Sequence, residues 1–146
     1  MNPTTTIKEV AMKQFRMVFL FLVIACGLKP AFVFAEPSAD ELRNTIRAYI
    51  QTQEELTGSF TLPDPKEKGE LRTLSLIRVH ERVGKTGEYY YSCTDMKDVA
   101  NQDQLDLDFD VSDTGKELKV VAVRIHKDNG KPRYTYDAND NLIPVS

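Results

Sequence analysis

His80, Cys93 and His126 are the side chains of this sequence best suited to hold a soft metal ion. Two imidazoles with a thiolate make a zinc- or copper-type ligand set once a fold brings them together. Their spacing follows none of the local ligand patterns: there is no Cys-x-x-Cys, no His-x-x-x-His and no Cys-x-x-Cys-His. Convergence therefore depends on strands that pair distant segments. His80 and Cys93 are also the one base and nucleophile that neighbouring strands can bring together, which is what a Cys–His enzyme requires. No Gly-x-Ser-x-Gly elbow, P-loop or dinucleotide fingerprint accompanies them, so no catalytic or cofactor-binding residue is assigned.

The acidic run offers a second chemistry. Asp106 to Glu117 reads DLDFDVSDTGKE and resembles an EF-hand calcium loop at its first, third, fifth and twelfth places. Val111 stands at the sixth place, where the sharp turn needs Gly, and Asp113 at the eighth, where an apolar residue is expected. Leu105, Leu107, Phe109 and Val111 alternate with the aspartates, which is the period of a half-buried strand, so the carboxylates are read as a solvated sheet face answered by Arg124. Arg78, His80 and Arg82 form a cationic stripe whose commoner partners are cross-strand carboxylates. Of Tyr89, Tyr90, Tyr91, Tyr134 and Tyr136, alternation sends about half to the core, so the tyrosines are read as packing.

These groups need elements to position them. Ser38 followed by Glu41 is a capping box, and Leu42, Ile46, Tyr49, Ile50 and Leu56 recur at helical spacing up to Gly58. Ser59 to Leu62 is a short strand, Leu71 to Val83 a long one, and Glu88 to Thr94 its return after the loop Gly84-Lys85-Thr86-Gly87. A two-residue loop there sets His80 opposite Cys93, and a four-residue loop sets it opposite Tyr91. Asp95 to Gln104 is read as a connection. Gln104 to Tyr136 then holds three antiparallel strands. A three-residue loop at Asp113-Thr114-Gly115 sets Leu107 opposite Val121 and Leu105 opposite Val123. The Asn129-Gly130 hairpin, with Asp128 opposite Lys131, sets Val123 against Tyr136 and Ile125 against Tyr134. Leu142 to Val145 adds a short terminal strand, and RYTYDANDNLI resembles a single unit of a YD repeat.

Lys8, Lys13 and Arg16 precede an apolar run from Met17 to Leu28, and Val33-Phe34-Ala35 has the form of a signal-peptidase site. Residues 1–35 are read as a cleaved secretory signal peptide and 36–146 as one domain, since the run falls short of the roughly 20 residues a bilayer needs. Val23-Ile24-Ala25-Cys26-Gly27 resembles the lipobox of bacterial lipoproteins, which implies lipid attachment at Cys26 as the alternative. Of 19 basic and 22 acidic residues, four and one lie in the leader, so the remainder carries 15 against 21, a net −6. That balance argues against a nucleic-acid partner. Cleavage after Ala35 removes Cys26 and leaves Cys93 without an internal disulfide partner.

The expected fold is α+β: one amphipathic N-terminal helix on a curved antiparallel sheet of five or six strands, an order similar to cystatin-like and NTF2-like shapes. For function the sequence leaves classes rather than a name. First stands a small exported non-catalytic binding or accessory module, periplasmic or extracellular, monomeric or weakly dimeric, with an unidentified protein or small ligand as partner. Second stands a metal-binding protein using His80, Cys93 and His126, and third a Cys–His enzyme.

Overall fold

A computed structural model describes residues 35–145. Residues 1–34 of the leader, Cys26 among them, lie outside the described residues, among which no helix is long and apolar enough to cross a membrane.

Helix α1, Ala39–Thr57, starts as its capping box dictates: the Ser38 hydroxyl accepts from the Glu41 N–H, and the Glu41 carboxylate accepts from the Ser38 N–H at 2.8 Å. It ends at Gly58, whose φ is 83°. Leu42, Ile46 and Ile50 are buried, each contributing about 1.5–3 kcal/mol. Leu56 is 74% exposed, so the apolar face ends a turn earlier than its spacing predicts.

Strands β1 (Phe60–Asp64), β2 (Glu70–Thr86), β3 (Tyr89–Asp98), β4 (Gln104–Asp113), β5 (Leu118–Asp128) and β6 (Lys131–Pro132) follow, with a 3-10 turn at Pro65–Glu67. They form an open six-stranded antiparallel sheet in chain order, which with the helix makes the fold α+β. Strands β7 (Tyr134–Tyr136) and β8 (Leu142–Pro144) form a separate two-stranded hairpin. The core lies between α1 and the inner sheet face, where Leu105, Leu107, Phe109 and Val111 of β4 are fully buried. Phe109 contacts Phe60 and Tyr49 at centroid distances of 6.0 and 6.2 Å.

Several registers differ from expectation, each for a local reason. The β4–β5 loop has four residues, with Asp113 opposite Leu118, because the Asp113 carboxylate and the Thr114 hydroxyl bind the N–H groups of Gly115 and Glu117. Together with two bulges along this pair, the longer loop sets Leu107 opposite Ile125, not Val121, and Leu105 opposite Asp128, not Val123. Bulges interrupt β4–β5 between Asp106 and Leu107 and between Asp110 and Val111. The second flips the alternation, so Val120 is buried and Val121 is 47% exposed. The β2–β3 loop is Gly87-Glu88, with Thr86 opposite Tyr89. Strand β3 also continues to Asp98, past the expected connection.

Asp128 does face Lys131, across an Asn129-Gly130 loop with φ of 46° and 77°. Pairing stops after Pro132, which has no N–H to donate, and the Arg133 guanidinium turns to Asp64 at 2.5 and 2.9 Å. Tyr134 and Tyr136 consequently do not line up with Ile125 and Val123 on the helix side. They lie over the outer face of the sheet.

Candidate metal centre

On that outer face Cys93 of β3, Asp108 of β4 and Arg124 of β5 occupy one cross-strand row. The bulge beside Asp106 gives β5 one residue with no counterpart on β4, and that residue is His126. A bulge re-aims a side chain; here the imidazole turns back toward the row. Asp108 Oδ1 lies 2.7 Å from Cys93 Sγ and 3.7 Å from His126 Nδ1, and Sγ lies 3.9 Å from Nδ1. The three ligand atoms fall within 4.8 Å of one another.

The other oxygen of Asp108 faces the hairpin. Oδ2 accepts from the Tyr134 hydroxyl at 2.7 Å and the Tyr136 hydroxyl at 2.6 Å. The Tyr134 ring stacks on His126 at 4.9 Å and 18°, and Tyr136 meets that ring edge-on at 5.8 Å. Tyr136 also stacks on Tyr91 at 4.6 Å. Gly84 makes room for Tyr91: a Cβ there would lie 2.4 Å from its ring. At the hairpin tip, Asp140 accepts from Arg82 at 2.7 Å and from the Tyr91 hydroxyl at 3.0 Å, and its carbonyl accepts from Thr86 at 2.6 Å.

Charge singles out Asp108. Its neighbours on β4 are answered by cations, Asp106 by Lys127 and Asp110 by Arg124. Buried Asp64 and Asp98 are answered by Arg72, and Asp64 by Arg133 as well. Asp108 is 0% exposed, and none of the lysine or arginine ion pairs among the described residues reaches it. A buried carboxylate is costly without compensation, and this one has O–H and S–H donors and an imidazole instead.

The same carboxylate governs its neighbours. Burial, then the negative charge of Asp108, pushes the Cys93 thiol well above the usual range. Burial and Asp108 likewise push the Tyr134 and Tyr136 hydroxyls up, keeping them as donors. Since the thiolate is the nucleophile, Cys93 in the metal-free native protein should react with a maleimide at pH 7.5 more than about tenfold more slowly than in the urea-unfolded chain. Equal rates in a stopped-flow comparison would contradict this environment.

Cys93 and His126 thus come together, and His80 does not join them. His80 Nε2 bonds Asp95 Oδ1 at 2.7 Å, and Arg78 pairs with the same carboxylate. The expected placement of His80 opposite Cys93 or Tyr91 fails because β2 is irregular: Val79 faces Thr94, Val83 faces Ser92, and two extra residues bulge between them. The Arg78–His80–Arg82 stripe is answered by Asp95 and Asp140.

The sequence reads Asp108 as part of a solvated sheet face and Tyr134 and Tyr136 as packing, but Asp108 is buried, as is Asp110 beside it. The signal for Asp108 lies in the acidic stripe, but placing it opposite Cys93 requires the true β3–β4 turn. Comparison with family models, with curated proteins and with solved structures finds no match, so the site is read from its own chemistry.

Proposed function

We propose that the chain is a small exported, non-catalytic protein that holds a zinc-type metal ion through Cys93 Sγ, Asp108 Oδ1 and His126 Nδ1. The observation that carries this reading is the close triangle of soft and hard donors built on a buried carboxylate that no described lysine or arginine answers. One ion at about 2.0–2.3 Å can reach all three atoms, with Sγ and Oδ1 opening toward about 3.5 Å as tetrahedral geometry requires. Thiolate and carboxylate together supply two negative charges for a divalent ion, and imidazole with thiolate selects a borderline-soft one. Three protein ligands leave a fourth position for water or a small ligand.

A second reading, a metal-free binding or accessory module, is favoured by the hydrogen bonds that already satisfy both Asp108 oxygens. The Cys–His enzyme reading has less support, because Asp108 keeps Cys93 as a thiol. Export rests on the leader, with lipid attachment at Cys26 as its alternative, and the shape we infer is a cystatin-like or NTF2-like helix on a curved sheet. Elemental analysis of protein purified from its own compartment, joined to zinc titration against a chelator, tests the proposal. One equivalent is expected, with affinity falling at least about tenfold in Cys93→Ser, Asp108→Asn and His126→Asn. Absence of both native metal and zinc binding leaves the metal-free module.

A further inference from the structure

We infer that the β7–β8 hairpin is a clasp on this centre: its closure and the ion's occupancy reinforce each other, with Tyr134 and Tyr136 as positioning residues. The inference rests on the metal reading above. Its geometric basis is the division of labour within Asp108. Oδ1 belongs to the triangle with Cys93 and His126, and Oδ2 belongs to the two tyrosine hydroxyls. An ion on Oδ1 therefore leaves both hydroxyl bonds intact. Hydrogen bonds to a metal-bound carboxylate fix its orientation, and loss of such a partner commonly weakens metal binding by 10–100-fold.

Each tyrosine touches a second ligand residue as well. Tyr134 stacks on His126, and Tyr136 meets the same ring edge-on. Two of the three ligand residues are thus oriented by one element, and that element is not part of the main sheet. Its own ladder is three residue pairs long, Tyr134 with Pro144, Thr135 with Ile143 and Tyr136 with Leu142. Away from the ligands it is held by the Tyr91–Tyr136 stack and by the bonds of Asp140 to Arg82, Thr86 and Tyr91. So short a hairpin depends on its contacts for stability. Whatever fixes Asp108 and His126 fixes the surface on which the hairpin rests. By linkage, a closed hairpin raises ion affinity by the factor by which the ion favours closure. Tyr134 and Asp108 are both buried, so the hairpin covers the Asp108 side of the triangle, whereas Cys93 and His126 are only partly buried.

The test combines hydrogen exchange over residues 134–144, with and without zinc(II), with zinc affinity and release rate for wild type, Tyr134→Phe, Tyr136→Phe and Asp140→Asn. The phenylalanines keep the rings and remove only the hydroxyls, and Asp140→Asn loosens the tip without touching a ligand. Zinc is expected to slow hairpin exchange about tenfold, and each variant to bind about tenfold more weakly and release faster. If wild type binds zinc while the variants match it and hairpin exchange is unchanged, the clasp is overturned and the metal site stands. If wild type binds no zinc, both fall.

Discussion

Replacing Asp64 by alanine is expected to destabilise the protein by about 3 kcal/mol, read as a lower urea midpoint with an unchanged slope. The carboxylate closes β1, is 0% exposed, and receives Arg133 at 2.5 and 2.9 Å, Arg72 at 3.3 Å and the Lys66 N–H at 3.0 Å. Without it two nearly buried guanidiniums lose their shared partner, and loss of one side of a buried ion pair costs about 3–5 kcal/mol. The lower end applies because Arg72 keeps Asp98 and Asp103, and Arg133 keeps Asp128. A loss below about 1 kcal/mol would contradict the clamp.

The same group predicts a pH dependence. Hydrogen bonding from Arg133, outweighing burial, holds the Asp64 carboxyl down to about 2. Its folded value lies below the unfolded value of about 3.9. The stabilisation is therefore complete above about pH 4 and is lost as pH falls toward about 2, a change of about 2 kcal/mol. Asp64→Asn should flatten that part of the stability–pH curve.

Phe109→Ala is expected to cost about 3–5 kcal/mol, the largest effect of a single core truncation. The ring is fully buried between α1 and the sheet, against Tyr49 and Phe60. Its removal leaves a cavity that three converging elements cannot collapse to fill. Thermal and urea unfolding would measure the loss, and a value under about 2 kcal/mol would place the ring outside the packing centre.

Much of this was legible in the chain. Ser38 and Glu41 announced the helix, and the alternation through Leu105, Leu107, Phe109 and Val111 announced the core strand. Cys93 and His126 were legible as ligand types, although their meeting was not. It depends on a bulge that no residue pattern marks and on a β3–β4 turn hidden among polar residues. Tyr134 and Tyr136 were misplaced because periodicity assumes that a strand continues. A proline followed by an arginine bound to a distant aspartate ends this one. Long-range ion pairing of that kind has no local signature.

The β5 bulges that deliver His126 and expose Val121 also bear on self-association. Beyond Lys127 and Asp128, paired with β6, and the His126 carbonyl, which accepts from the Arg133 N–H, no strand among the described residues pairs with the outer side of β5. A long, flat, apolar edge is a template for another chain. This edge is broken twice within eleven residues and carries Lys119 and Arg124. The irregularity that brings His126 beside Cys93 and Asp108 therefore also denies an incoming strand a continuous hydrogen-bonding register, which disfavours edge-to-edge aggregation.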